Sequence, residues 1–261
     1  MKILILENTE SAAKLATRAI LEALKEKPDL VLGLATGSTP IGIYAGLVSA
    51  HQSSAVDFSR VSTFNLDEYL GLPAEHEQSF YYFMRKHLFD GVNIPPDRIH
   101  FPPTVGPQLL KQCVDYETLI REAGGVDLQI LGIGSNGHIG FNEPTSSLAS
   151  RTRLKTLTDK TLRDNSRFYG PNEQPPEVAS TMGIGTILDT RRILLQAFGS
   201  NKAEAIRQAV EGPVSAMCPG SALQLHQDVT FLLDDASAAR LSMVKYYKRA
   251  QVLDASLREQ L

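Results

Sequence analysis

The chain has 261 residues, 43% hydrophobic and 21% charged, with a net charge of −3, which is enough apolar material for a sizeable core in one α/β domain. Its Lys and Arg are scattered, so the basic footprint that nucleic-acid phosphates require is absent. Cys113 and Cys218 stand alone, with neither metal-ligand spacing nor a disulfide framework, and no apolar run reaches the roughly 18 residues of a membrane span.

The opening MKILILE reads at once as a strand and has neither the basic start nor the small-residue cleavage site of a secretory leader, which predicts a cytoplasmic protein. A helical pattern near 9–26 follows, then the strand DLVLGLA, a helix near 40–51, the strand VSTFNL, helices near 78–89 and 107–122, and the strand VDLQIL. RILLQAF (192–198) precedes a helix near 201–210, and VTFLLD (229–234) precedes a last long helix from about 236. Several of these strands are nearly continuous in apolar residues, as strands covered on both faces are. The expected fold is a single-domain α/β protein over 1–261, with an open, mostly parallel, Rossmann-like sheet and helices on both faces. The expected interruption spans 144–185, where NSRFYGPNEQPPEVAS is polar and broken by Gly170, Pro171, Pro175 and Pro176. A flap over the strand carboxyl edge is expected there.

Chemistry-bearing residues fall at the carboxyl ends of these strands, where open parallel sheets bind ligands. DLVLGLA runs into Gly37, Ser38, Thr39 and Pro40 before a helix, which reads either as simple capping or as an anion site built on free N–H groups and the helix dipole. The Gly-Lys-Ser/Thr of a nucleoside-triphosphate loop is missing, so a small monophosphate is the better fit. VSTFNLDEYLGL sets Asp67 and Glu68 at a strand end, with Asp67 a general-base candidate or merely a turn cap. LGIGSNGHIGFNEP then places His138 and Glu143 on a glycine-rich turn after a buried strand. The spacing of Gly132, Gly134 and Gly137 also fits a dinucleotide fingerprint, but Gly140 and Pro144 interrupt the helix that fingerprint needs, and no acid closes a strand roughly 20 residues on.

Lys202 is expected in the first turn of the helix after RILLQAF, where the dipole disfavours a cation unless an anion binds; a local pair with Glu204 is the plain alternative. Arg167 lies in the flap segment, and His226 reads as a core or surface histidine.

LATGSTP, NLDEYLGL, LGIGSNGHIGFNEP, MGIGTIL, GSNKAEAI and EGPVSAMCPGSALQLH together resemble the glucosamine-6-phosphate deaminase family across nearly the whole chain. GHIGFNEP is the most specific piece, since sugar-phosphate lactonases of similar fold resemble only the earlier segments. The resemblance implies a sugar-phosphate substrate, conversion of glucosamine 6-phosphate and water to fructose 6-phosphate and ammonia, and no cofactor or metal. It implies that His138 assists ring opening beside Glu143, that Asp67 shuttles the C2 proton, and that Gly37, Ser38, Thr39, Arg167 and Lys202 bind the phosphate. Asn136 stands where many members of the family carry aspartate, and is expected to orient the His138 ring as a hydrogen-bond acceptor. Ser146, Arg153 and Lys155 match positions at which some hexameric relatives bind an activator, whereas YYKRAQVLDASLREQL does not resemble their C-terminal segment. Monomer and homo-oligomer both stay open. A lactonase of the same fold and a non-catalytic sugar-phosphate sensor are the competing functions.

Overall fold

A computed structural model describes residues 1–166, 169–170 and 173–258. The chain forms β1 (Lys2–Leu6), α1 (Thr9–Glu26), β2 (Val31–Leu34), α2 (Ile41–Gln52), β3 (Ser62–Asn65), β4 (Asp67–Tyr69), α3 (Phe80–His87), β5 (Ile99–His100) and α4 (Leu109–Glu122). It continues through β6 (Leu128–Leu131), β7 (Arg153–Thr156), α5 (Asp159–Ser166), β8 (Val178–Thr181) and α6 (Ile184–Leu188). The last elements are β9 (Arg192–Ala197), α7 (Ala203–Glu211), β10 (Val229–Asp234), α8 (Asp235–Ala238) and α9 (Val244–Arg258).

Seven strands make one parallel sheet in the order β1-β10-β9-β6-β2-β3-β5. Every residue of β2 and β6 is buried, which requires cover on both faces of the sheet. From β2 the chain builds outward to β3 and β5, then returns to β6 beside β2 and builds the other way through β9 and β10. The direction therefore switches between β2 and β6, and the loops leaving those two strands diverge around a crevice.

A second sheet is the main departure from the expected fold. β4, β8 and β7 pair antiparallel, in that order, with Asp67 opposite Thr181. Asp67 thus begins a new strand one residue after β3 ends, instead of closing β3. The 144–185 segment is likewise not one flap: it supplies two strands of this sheet, β7 and β8, with α5 between them. The single long helix expected from about 236 is two helices, because 239–243 leaves the helical path between α8 and α9.

Below the second sheet, Tyr69, Phe141, Leu157 and Ala179 form their own apolar cluster, apart from the main core. Phe141 lies 5.3 Å from the Tyr69 ring and stacks on Phe80 at 5.8 Å. Burying a phenylalanine is worth about 1.5–3 kcal/mol, so this ring keys the loop after β6 to β4 and α3.

Candidate active site

A cleft of about 350 Å³ opens at the switch between β2 and β6. Gly37, Ser38, Thr39, Asp67, His138 and Lys202 line it together with Gly134, so six candidate site residues converge on one cavity.

The loop after β2 turns at Gly37, whose φ of +93° favours glycine. Tyr44 steadies the approach: its hydroxyl donates to the Ala35 carbonyl at 2.5 Å and accepts the Ala35 N–H at 3.2 Å. The Pro40 carbonyl accepts from Ile43 N–H at 2.9 Å and from Tyr44 N–H at 3.1 Å, so helix α2 begins here with its positive end beside Ser38 and Thr39. Lys202 lines the same cleft. It sits in a 3-10 turn of residues 200–202 that ends where α7 starts, not in the first turn of the α-helix as expected. The Glu204 carboxylate accepts from Arg207 at 2.6 Å, Gln208 at 2.8 Å and Arg240 at 2.9 Å. Arg167 lies outside the described residues.

Adjacent residues of a strand point to opposite sides, and β4 uses this to separate its two acids. Asp67 faces the cleft and is 7% exposed. Burial first, and then the neighbouring Glu68 carboxylate, push its carboxyl up to about 8 against one backbone N–H from Phe141. Glu68 turns away and accepts the N–H groups of Tyr69 at 2.8 Å, Phe80 at 3.0 Å and Tyr81 at 2.8 Å. It therefore caps α3, together with Ser79, whose hydroxyl accepts from Tyr82 N–H.

On the loop after β6, the His138 Nδ1 lies 3.5 Å from Glu143 Oε2, and Glu143 is 1% exposed. Burial alone would raise the Glu143 carboxyl, but the His138 imidazole, Thr161 and the Asn136 amide outweigh it and hold it at about 2. Asn136 meets the backbone of His138 and the Glu143 carboxylate, where the sequence suggested a bond to the ring. Its Nδ2 donates to Glu143 Oε2 at 2.8 Å, and its Oδ1 accepts the backbone N–H of His138 at 3.2 Å. Gly134 packs flat under the ring: a Cβ there would lie 2.3 Å from His138 Cε1.

Asn142, Asn165 and Tyr169 help to shape the site and were not singled out in the sequence. The Asn142 amide donates to the Ile139 carbonyl at 2.9 Å and to the Met182 carbonyl at 2.7 Å, and its oxygen accepts from Arg153 at 2.8 Å. These bonds fasten the loop after β6 to β7 and to the residue after β8, and they give Arg153 a local partner. β7 is half-buried and paired to β8. Asn165 and Tyr169 close one side of the cleft, and Asn165 Nδ2 donates to the Tyr69 hydroxyl at 2.8 Å. Ser146 is buried and its N–H bonds the Glu143 carbonyl at 3.0 Å. Among the described residues no group of three or more His, Cys, Asp or Glu is placed to hold a metal ion, and no helix is long and apolar enough to cross a membrane.

Residues 7–232 match the family described as glucosamine-6-phosphate isomerases/6-phosphogluconolactonase. The chain is 50% identical over 261 residues to a glucosamine-6-phosphate deaminase of Shewanella loihica, spanning 100% of this chain and 97% of that protein. It is 50% identical over 251 residues to one of Hahella chejuensis, spanning 96% of each. A solved structure of a monomeric glucosamine-6-phosphate deaminase matches with a TM-score of 0.89 at 43% identity, covering 92% of this chain and 100% of that one. The 6-phosphogluconolactonase of Trypanosoma brucei matches with a TM-score of 0.75 at 20% identity, a likeness of fold alone.

Proposed function

The chain belongs to the glucosamine-6-phosphate isomerase/6-phosphogluconolactonase family, and from that premise we propose that it converts glucosamine 6-phosphate and water to fructose 6-phosphate and ammonia. The observation that carries this reading is the meeting of Asp67, His138 and the Gly37–Thr39 loop in one cleft. A binding protein needs only the anion loop; the two proton-transfer groups are what an aldose-to-ketose conversion adds.

In this reading the phosphate sits on Gly37, Ser38 and Thr39 at the start of α2 and faces Lys202, with Arg167 the further cation the family resemblance supplies. Holding that end fixes the sugar chain for reaction at C1 and C2. His138 takes the anomeric hydroxyl proton as the ring opens, and the ionised Glu143 behind it stabilises the imidazolium that forms. Asp67 then removes the C2 proton and returns one to C1. A carboxyl near pKa 8 suits both directions of that transfer at neutral pH, because neither its acid nor its base form is strongly disfavoured. Water replaces nitrogen at C2 and ammonia leaves, so the overall step is hydrolysis of a C–N bond coupled to isomerisation.

The test is product analysis with purified protein and no added cofactor. Ammonia and fructose 6-phosphate appear in equal amounts from glucosamine 6-phosphate; acid released from 6-phosphogluconolactone without ammonia would move the assignment to the lactonase branch of the family.

A further inference from the structure

Helix α2 buries Ile43, Tyr44 and Leu47, and Tyr44 is 0% exposed. A buried hydroxyl costs about 1–3 kcal/mol when it lacks a partner, and here the partner is main chain. The Tyr44 hydroxyl donates to the Ala35 carbonyl at 2.5 Å and accepts the Ala35 N–H at 3.2 Å. Ala35 is buried and is the first residue beyond β2, whose last rung is Leu34 opposite Asn65. The hydroxyl thus takes the place of a neighbouring strand where the chain leaves the sheet, and it meets both polar groups of Ala35.

Residues 35–44 therefore form a loop closed by one hydroxyl, with Gly37, Ser38 and Thr39 inside it. Helix α2 is seated on α1 as well. A Cβ on Gly42 would lie 2.8 Å from Ala13 Cβ, one on Gly46 would lie 2.6 Å from Thr17 Oγ1, and Thr17 Oγ1 donates to the Ile43 carbonyl at 3.4 Å. This close packing fixes the helix, and the Tyr44 hydroxyl carries the fixed position to Ala35, which lines the cleft.

We propose that Tyr44 is a positioning residue for the phosphate end of the substrate: by joining α2 to Ala35 it closes the 35–44 loop and holds the Gly37–Thr39 backbone in its anion-binding form before the ligand arrives. The inference deepens the proposed function and rests on its phosphate site, not on its proton transfers. Donors that are already in place bind an anion without the ordering cost of a free loop, so the hydroxyl acts on affinity. A hydroxyl that only satisfied buried main chain would act on stability alone.

The experiment compares wild type, Tyr44→Phe and Tyr116→Phe as full chains. Tyr116 is the control: it is 3% exposed, and its hydroxyl donates to the Asn65 carbonyl at 2.7 Å, at the end of β3 and outside the 35–44 loop. Inorganic phosphate is titrated by calorimetry, kcat and KM for glucosamine 6-phosphate are taken from ammonia release, and the thermal transition is recorded. Losing the bonds to Ala35 raises the phosphate Kd and KM by about three- to tenfold in Tyr44→Phe, with kcat within about twofold. Tyr116→Phe lowers the thermal transition and keeps the wild-type phosphate Kd. If Tyr44→Phe does not fold, ¹⁵N relaxation of unliganded wild type decides: order parameters at 36–39 near the rigid-backbone value of about 0.85 support the proposal, and values below about 0.6 overturn it. Tyr44→Phe that loses thermal stability yet binds phosphate as wild type does, or Tyr116→Phe that weakens phosphate equally, overturns it, as does a wild type that binds no phosphate. A wild type that binds phosphate without releasing ammonia ends the deaminase reading, while the phosphate titration still decides the role of Tyr44.

Discussion

Asn136 Nδ2 and His138 Nδ1 address the same oxygen of Glu143, the first at 2.8 Å as a hydrogen bond and the second at 3.5 Å. Asn136 therefore acts on the histidine through the carboxylate. Asn136→Ala removes a donor from a buried anion and frees the His138 backbone N–H, and lowers kcat by about tenfold with little change in KM. Asn136→Asp sets a second acid against Glu143 and raises the pH at which the pair titrates. Rate against pH for both variants checks this; an alanine variant with full activity and an unchanged profile removes Asn136 from the mechanism.

Gly134 leaves no room for a side chain beneath His138, since a Cβ would lie 2.3 Å from Cε1. Gly134→Ala displaces the imidazole rather than the fold. Kinetics on a variant whose thermal transition is close to wild type should show kcat reduced by about 10²-fold, the cost of a displacement of about 1 Å at a reacting group.

Asp67 titrates high because burial and Glu68 both favour its neutral form, at about 8. If its ionised form accepts the C2 proton, kcat/KM of the free enzyme rises with pH through a limb near that value. Glu68→Gln removes the neighbouring charge and moves the limb to lower pH. Stability has the opposite slope. Between the unfolded carboxyl pKa of roughly 4 and the folded value, the native state holds a proton that the unfolded chain has released, so stability falls as pH rises. Asp67→Asn is then more stable than wild type at pH 8 and not at pH 4, which urea unfolding at the two pH values measures.

Lys202 lines the cleft with Ser38 and Thr39 and has no part in the proposed proton transfers. Lys202→Ala raises KM for glucosamine 6-phosphate by about tenfold or more and leaves kcat within a few-fold. The reverse split in steady-state kinetics would take Lys202 out of phosphate binding.

What was readable in the sequence follows from what leaves a periodic or compositional mark. The buried strands β2, β6, β9 and β10 are apolar runs, and the loops after β2 and β6 carry the Gly, Ser, His and Glu that chemistry at a sheet edge requires. The second sheet left little mark because β4 has three residues and follows β3 after Leu66 alone, so the two read as one strand. Its partner β8 lies far along the chain, with Asp67 opposite Thr181, and pairing at that range has no local signature. Likewise, nothing in TLTDKT announces that the Thr158 N–H donates to Glu143, since that contact exists only once the chain has folded. Asn136 shows the same limit: its type was legible, but that its amide would donate to Glu143 and accept from the His138 backbone was not.

The most direct test of the account follows glucosamine 6-phosphate deuterated at C2 by NMR as wild type and Asp67→Asn turn it over. Transfer through a single carboxyl predicts that wild type releases ammonia and carries part of the label to C1 of fructose 6-phosphate, while Asp67→Asn does neither at a comparable rate. An asparagine variant that forms product and moves the label as fast as wild type would contradict the placement of Asp67 at the centre of the chemistry.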